Sequence, residues 1–151
     1  MQAVIFIGIQ ATGKSAFYRE RFFATHMRVS LDLLRTRHRE SVFLRACIET
    51  MQPFVVDNTN PTAEERARYI APAKGARFTV TGYYFESKAA DALDRNRQRE
   101  DSQRVPDKAI LGTCKRLQLP QISEGFDALY YVRLGERGSF TVMPWSPDEI
   151  R

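Results

Sequence analysis

The segment Gly8-Ile9-Gln10-Ala11-Thr12-Gly13-Lys14-Ser15 matches the spacing G-x-x-x-x-G-K-[ST] of a phosphate-binding loop. Such a loop wraps a phosphate with backbone N–H groups, and the following helix adds the partial positive charge of its N-terminus. Residues 3–7 before the loop are all apolar, which is typical of a strand buried on both faces. Strand, loop and helix in this order predict a site for a nucleoside triphosphate.

The residue types within the loop predict how ATP and Mg²⁺ are held. Lys14 is placed to reach the β- and γ-phosphates, and the Ser15 hydroxyl is placed to hold Mg²⁺. The remaining loop residues expected to contact the nucleotide are Gly8, Gln10, Ala11, Thr12 and Gly13.

Apolar, β-rich runs alternate with helix-length segments five times along the chain. The predicted strands are residues 3–7, 28–30, 54–56, 77–85 and 128–134. The predicted helices are residues 14–23, 32–51 with a break near Arg39, 61–74 opened by Pro61, 88–99 and 106–119. The alternation predicts one α/β domain over residues 1–134 with a five-stranded parallel sheet flanked by helices. Together with the phosphate loop this indicates a P-loop NTPase/kinase fold, in which the segment around residues 95–104 is expected to form a helical lid. Residues 135–151 are expected to pack on this domain or to trail from it.

Composition narrows the class of protein. The chain has 151 residues, 43% hydrophobic and 27% charged, which excludes a disordered or fibrous chain. No apolar run is long enough to cross a bilayer, so we expect no membrane association. Cys47 and Cys114 lie far apart without neighbours at ligand spacing, which indicates a reducing, cytoplasmic location. Lys and Arg number 23 against 18 Asp and Glu, and this excess favours an anionic partner.

Two charged residues follow the second predicted strand, where α/β sheets present loops to ligands. Asp32 is a candidate general base that takes the proton of an attacking hydroxyl group. Arg35 lies one helical turn further on and can hold a phosphate of the acceptor. The alternative for Asp32 is that it caps the helix that follows.

Two further clusters have both a functional and a structural interpretation. Asp57 follows the third strand and either serves Mg²⁺ or the acceptor, or belongs to a turn and cap cluster. Arg95 and Arg99 share one helix face, where they can close over the triphosphate as arginine fingers. The alternative for this pair is a solvated face balanced by the acidic residues Asp94, Glu100 and Asp101.

The ordered set of motifs resembles the polynucleotide 5′-hydroxyl kinase family. The set comprises the phosphate loop, D-x-x-R from Asp32, Asp57-Asn58-Thr59-Asn60-Pro61, and R-x-R-x-R from Arg95 before a Val-Pro helix. Arg66, Arg68-Tyr69 and Glu124-Gly125-Phe126 are similar to the animal members. The resemblance covers roughly residues 3–134.

This resemblance implies an enzyme that transfers the γ-phosphoryl group of ATP to the 5′-OH end of RNA or DNA. It implies that Lys14, Asp32 and Arg99 are catalytic, that Arg95 also contacts the nucleotide, and that Arg35, Asp57 and Asn58 contact the acceptor. No D-x-D-x-T motif is present, so we expect no 3′-end activity in this chain. A separate phosphatase or ligase partner is one way in which such an activity could be supplied. The alternatives are a kinase for a small hydroxyl compound, such as a sugar, an antibiotic or a nucleotide-sugar, and a non-catalytic ATP-binding module.

Overall fold

The computed structural model describes residues 1–150 as a six-stranded sheet with helices on both faces. The strands are β1 (Gln2–Ile7), β2 (Met27–Val29), β3 (Phe54–Val56), β4 (Thr79–Phe85), β5 (Ala128–Leu134) and β6 (Phe140–Pro144). The helices are α1 (Lys14–Arg21), α2 (Leu31–Leu34), α3 (Arg37–Glu49), α4 (Ala63–Gly75), α5 (Ala89–Gln98) and α6 (Asp107–Arg116).

The strand order is β2-β3-β1-β4-β5-β6, and β1 to β5 are parallel. The predicted parallel sheet of five strands is therefore confirmed. β6 adds a sixth, antiparallel strand at the edge, with Val142 opposite Val132. Placing β1 in the middle puts the phosphate loop at the centre of the carboxyl edge of the sheet.

Strand β1 explains why the domain has a core on each face of the sheet. Successive side chains of a strand point to opposite faces, so Ile5 packs with the layer that includes α3 and α4, whereas Phe6 packs with α1. All the residues of β1 from Ala3 to Ile7 are fully buried. Phe6 contacts Phe17 of α1 with ring centroids 5.7 Å apart. This packing fixes the strand and the helix between which the loop is held.

Several helix boundaries differ from the sequence prediction, and two of the differences have a clear physical cause. The break in the second helical segment lies at residues 35–36 rather than near Arg39, because the backbone of Arg35 turns out of the helical conformation. Helix α4 begins at Ala63 rather than Pro61, because the Thr62 hydroxyl caps it by accepting a hydrogen bond from Glu65 N at 3.2 Å.

Helices α5 and α6 form a hairpin over the phosphate loop, as expected for a lid. Ile9 and Ala11 of the loop pack with Ala92 of α5 and Ile110 of α6. The connection between the helices is tied down by Asn96, whose amide exchanges hydrogen bonds with the backbone of Val105 at 2.6 and 3.1 Å. Within residues 1–150, no helix has the length and apolar character needed to span a membrane.

Candidate nucleotide and acceptor site

A cavity of about 800 Å³ lies at the carboxyl edge of the parallel strands, where open α/β sheets bind their ligands. Its walls are the phosphate loop, the start of α2, the end of β3 and the connection between α5 and α6. The cavity is strongly cationic. Two carboxylates, Asp32 and Asp57, face six basic side chains, which are Lys14, Arg19, Arg28, Arg35, Arg99 and Arg104.

The phosphate loop keeps its shape because two glycines are required in it. Gly13 has φ +92°, a left-handed conformation that glycine adopts readily. A Cβ atom there would lie 2.9 Å from Cε1 of Phe140. At Gly8 a Cβ atom would lie 3.1 Å from Cβ of Phe85, so the loop is packed tightly against β4. Any larger residue at either position would push the loop outward.

Two other loop residues, Gln10 and Thr12, line the cavity and also fasten the loop through their side chains. The Thr12 hydroxyl donates to the Ile9 carbonyl at 2.9 Å. The Gln10 amide donates to Thr113 Oγ1 of α6 at 3.1 Å, and so ties the loop to the lid. Both bonds therefore hold the shape of the loop.

Lys14 lies over its own loop. Its ammonium group donates to the carbonyl oxygens of Gly8 at 3.0 Å and Ile9 at 2.6 Å. Burial lowers the pKa of Lys14 from 10.5 to about 8. The negative charge of nearby Asp57 opposes this shift, and the positive charge of nearby Arg99 adds to it. Arg99 of the lid and Asp57 after β3 therefore both lie close enough to the Lys14 ammonium group to change its pKa.

Ser15, Asp57 and Arg28 form a hydrogen-bonded triangle. The Ser15 hydroxyl donates to Asp57 Oδ2 at 3.0 Å. Arg28 donates from Nε to the same Oδ2 at 2.8 Å and from Nη2 to Ser15 Oγ at 3.0 Å. The carboxylate of Asp57 thus faces the phosphate loop and does not cap α4, which rules out the alternative of a capping residue. Arg28 did not enter the predicted site. It lies half-buried in β2, the strand at the edge of the sheet.

The side chain of Asn58 joins β3 to α2 and α3. Its Oδ1 accepts from the backbone N–H of Leu31 at 2.9 Å, and its Nδ2 donates to Glu40 Oε2 at 2.9 Å and to the Tyr69 hydroxyl at 3.2 Å. Burial and the neighbouring Glu40 carboxylate raise the pKa of Tyr69, so this hydroxyl keeps the proton that it donates to Glu40 at 3.0 Å. The sequence indicated acceptor contact for Asn58. Asn58 lines the cavity, and both ends of its amide are engaged by the protein. Its contact with an acceptor stays a prediction.

The other residues of the segment after β3 anchor the phosphate loop from the opposite side. The Thr59 carbonyl accepts from Gly8 N at 3.0 Å, and Asn60 Nδ2 donates to the Phe6 carbonyl at 2.7 Å. Arg66, fully buried, pairs with Glu124 at 2.8 Å and donates to the Asn60 carbonyl at 3.0 Å. The motif that includes these residues therefore determines where the loop lies relative to β3.

Asp32 presents an unengaged carboxylate to the cavity. The cap of α2 is Ser30, whose hydroxyl accepts from the backbone N–H of Asp32 at 3.2 Å, so the alternative that Asp32 is the cap is wrong. Among the residues that the structure describes, none hydrogen-bonds or pairs with the Asp32 carboxylate. Its position on the cavity wall leaves it accessible to a ligand.

Arg35 lies in a strained turn. Its φ of 72° and ψ of −34° are those of a γ-turn of the rare positive-φ type, and the turn is closed by a 2.9 Å hydrogen bond from Thr36 N to the Leu34 carbonyl. A non-glycine residue in such a conformation costs of order 1 to 3 kcal/mol and is found mainly at functional sites. The turn places Arg35 on the wall of the same cavity as Asp32.

The lid arginines separate into two groups. Arg95 donates to the Ala11 carbonyl of the phosphate loop at 3.2 Å, and Arg99 lines the cavity. Arg97 pairs instead with exposed Asp94 at 2.8 Å. The expectation that Arg95 and Arg99 share one helix face is wrong, because α5 ends at Gln98 and Arg99 has an extended backbone. The alternative of a solvated, charge-balanced face describes Arg97. Arg104, which the sequence did not single out, holds the lid connection through the carbonyl of Arg99 at 2.8 Å.

The mostly parallel sheet, the phosphate loop and the lid together define a nucleotide-binding P-loop protein with a kinase-type fold. Residues 4–120 match the family model AAA_33, which is described as an AAA domain, and the chain belongs to this family.

Over 132 residues the chain is 28% identical to the bifunctional polynucleotide phosphatase/kinase of Schizosaccharomyces pombe. The alignment covers 83% of this chain and 32% of the relative, so the chain spans about a third of the length of the curated relative that it matches. The predicted resemblance to polynucleotide kinases is thereby confirmed.

Solved structures with very different sequences share the fold. Kti12 of Chaetomium thermophilum in complex with ADP-AlF3 matches with a TM-score of 0.65 and 14% identity, covering 87% of this chain and 88% of that one. A sugar kinase from Janibacter matches with a TM-score of 0.62 and 14% identity, covering 87% and 85%. The PezAT toxin-antitoxin system of Streptococcus pneumoniae matches with a TM-score of 0.69 and 11% identity, covering 98% and 75%. At such identities these matches establish the fold alone.

Proposed function

We propose that this protein is an ATP-dependent kinase that transfers the γ-phosphoryl group to the 5′-OH end of RNA or DNA. The observation that carries the proposal is the shared cavity. The phosphate loop forms one wall, and an unengaged carboxylate and an exposed arginine, Asp32 and Arg35, lie on the wall formed by α2. This cavity supports a phosphoryl donor on the phosphate loop and a phosphate-bearing acceptor on the wall of Asp32 and Arg35.

The donor half of the cavity is built for a triphosphate. The backbone N–H groups of the loop and the N-terminus of α1 favour phosphate oxygens. Lys14 and Arg99 are placed to offset the charge that develops on the γ-phosphoryl group as it transfers. Binding of a triphosphate would draw the Lys14 ammonium from the loop carbonyls towards the phosphates.

The residues at the loop also fit Mg²⁺. Ser15 Oγ and Asp57 Oδ2 lie 3.0 Å apart, and two adjacent ligands of an octahedral Mg²⁺ at about 2.1 Å lie about 3 Å apart. No group of three or more His, Cys, Asp or Glu residues able to hold a metal is found within residues 1–150. Two protein oxygens completed by phosphate oxygens and water are what Mg²⁺ usually takes at nucleotide sites. When bound, Mg²⁺ would supply charge neutralisation of the phosphates. For Asp57 this geometry favours the metal over direct acceptor contact.

In the acceptor half, Asp32 takes the proton of the 5′-OH as its oxygen attacks the γ-phosphorus in line. A new oxygen–phosphorus bond forms, the bond to the β-phosphate oxygen breaks, and ADP leaves. Arg35 holds the phosphate on the 3′ side of the terminal nucleotide, which places the hydroxyl next to Asp32. Positioning of this kind supplies a large part of the rate in phosphoryl transfer.

Incubation with γ-labelled ATP tests this function directly. The acceptors are 5′-OH DNA, 5′-OH RNA, the same oligonucleotides with a 5′-phosphate, and a panel of sugars and other small hydroxyl compounds. Label is expected on the 5′-OH oligonucleotides alone, and a Lys14→Met preparation excludes a contaminating kinase. Label on a small compound in preference to the oligonucleotides would establish the small-molecule alternative. Slow ATP hydrolysis without any labelled acceptor would support a switch-like ATP-binding module that has no kinase activity.

A further inference from the structure

Arg28 is a charged residue in the three-residue strand β2, and its guanidinium group lies at the centre of the phosphate-loop contacts. Two neighbouring nitrogens of the group, Nε and Nη2, hold two oxygens, Asp57 Oδ2 at 2.8 Å and Ser15 Oγ at 3.0 Å. The Asp57 side chain is 2% exposed and the Arg28 side chain 22%. The pair is therefore largely buried, and Arg28 is the cation that balances Asp57 in this structure.

The two oxygens that Arg28 holds are the same two that fit Mg²⁺. A divalent ion at this position needs the lone pairs of Ser15 Oγ and Asp57 Oδ2 to point at it. The N–H groups of Arg28 use lone pairs of both oxygens, and its positive charge repels a second cation nearby. Arg28 and the metal ion therefore exclude each other at these two oxygens.

We infer that Arg28 is a resident cation that competes with the metal ion of the metal–nucleotide complex for Ser15 and Asp57. This inference rests on the donor half of the proposed function, which supplies the metal–nucleotide, and not on the identity of the acceptor. In the absence of metal, Arg28 keeps the Asp57 carboxylate from repelling the phosphates. Once metal–nucleotide binds, Arg28 is displaced from Asp57 and the ion takes over that neutralisation.

A purely structural role for Arg28 predicts the opposite effect of its removal. If Arg28 only held Asp57 in position, its loss would disturb the carboxylate and weaken binding of the metal–nucleotide. Competition predicts instead that its loss weakens binding of the metal-free nucleotide and leaves metal–nucleotide binding equal or tighter. The ratio of the two dissociation constants therefore distinguishes the two roles.

The test is calorimetric titration of ADP into the wild-type chain, Arg28→Gln and Arg21→Gln, once in excess EDTA and once in excess Mg²⁺. Loss of a charged hydrogen-bonded partner changes an equilibrium by about tenfold or more. We expect the ratio of the dissociation constant in EDTA to that in Mg²⁺ to rise at least tenfold in Arg28→Gln. Arg21→Gln removes one positive charge from the exposed surface of α1, outside the cavity, and should leave the ratio within twofold of wild type. A ratio in Arg28→Gln that is unchanged or smaller would overturn the inference.

If Arg28→Gln does not fold, a crystal structure of the wild-type protein with Mg²⁺ and ADP distinguishes competition from a purely structural role of Arg28. Competition requires that Arg28 Nε no longer bonds Asp57 Oδ2 while the ion contacts Ser15 Oγ. An ion bound with the Arg28–Asp57 pair intact would refute competition. Neither measurement includes an acceptor, so both outcomes are independent of whether the protein phosphorylates 5′-OH ends.

Discussion

The Asn58 side chain accepts a hydrogen bond at 2.9 Å from the backbone N–H of Leu31, the residue before Asp32. This bond links the end of β3 to the first turn of the helix that carries the proposed base. Glu40 and Tyr69 hold the other end of the Asn58 amide. Helix α2 has no fully buried residue, although Leu34 packs partly against the core. The polar network of Asn58, Glu40 and Tyr69 therefore contributes to the orientation of α2.

Replacing Asn58 with Ala should lower kcat by about 10- to 100-fold, because a displacement of about 1 Å of a reacting group costs that much. The dissociation constant for ADP should stay within about threefold, since the phosphate loop keeps its own contacts. Steady-state kinetics and ADP titration measure the two effects. Tyr69→Phe is the matched control, because it removes one bond to Asn58 but leaves the bond to Leu31. A kcat effect of Tyr69→Phe as large as that of Asn58→Ala would contradict the assignment.

Arg35 is expected to recognise a phosphate on the 3′ side of the acceptor hydroxyl. Arg35→Ala should raise the KM for a 5′-OH oligonucleotide by about tenfold or more, because a charged hydrogen bond is lost. A nucleoside without that phosphate should be phosphorylated equally by Arg35→Ala and the wild-type chain. Comparison of the two acceptors in parallel assays measures this difference. An equal loss on both acceptors would mean that Arg35 does not contact the phosphate.

The γ-turn makes a separate prediction about stability at position 35. Arg35→Gly removes the same side chain as Arg35→Ala but tolerates φ +72° without strain, which is worth about 1 kcal/mol. Its melting temperature should therefore exceed that of Arg35→Ala by about 2 to 4 °C for a chain of this size. Both variants should show the same defect in acceptor binding. A lower melting temperature for Arg35→Gly would show that the turn is not strained.

Lys14 should give nucleotide binding a pH dependence. Burial lowers the pKa of Lys14 to about 8, so the ammonium group loses its proton in the free protein as the pH rises through 8. Phosphates favour the charged form, so binding of metal-free ADP at pH 9 should take up a proton, whereas binding at pH 7 should take up little. Calorimetry in two buffers of different ionisation enthalpy measures this uptake. Lys14→Met should show none, and a wild-type chain without uptake at pH 9 would contradict the lowered pKa.

The sequence predicts the parts of the fold that depend on contiguous residues. The buried parallel strands are short apolar runs, and the phosphate loop has a fixed spacing, so β1, the loop and α1 follow from residues 3–23 alone. The positive-φ turn at Arg35 has no such signal, because arginine is not a residue that favours this conformation. The sequence therefore predicts the break between α2 and α3 near Arg39, about four residues after its position in the structure.

The site depends on contacts that cross the sheet, and these are harder to predict. Arg28 meets Asp57 only because β2 lies next to β3, a strand order that no local pattern states. The motif after β3 indicates Asn58, but its partner Glu40 lies 18 residues earlier in the chain, on helix α3. Once β2 is known to lie next to β3, the charged residue in β2 and the carboxylate after β3 can be expected to be neighbours.

Phosphoryl transfer by the Asp32→Asn variant tests whether Asp32 is the base of the proposed 5′-OH kinase reaction. The change removes the proposed base but keeps the size of the side chain, and Asp91→Asn on the exposed face of α5 is the matched control. Labelled transfer from γ-labelled ATP to a 5′-OH oligonucleotide should fall at least about 100-fold in Asp32→Asn. ATP affinity should remain within a few-fold, and Asp91→Asn should match wild type. Near-normal transfer by Asp32→Asn would contradict the assignment of Asp32 as the base.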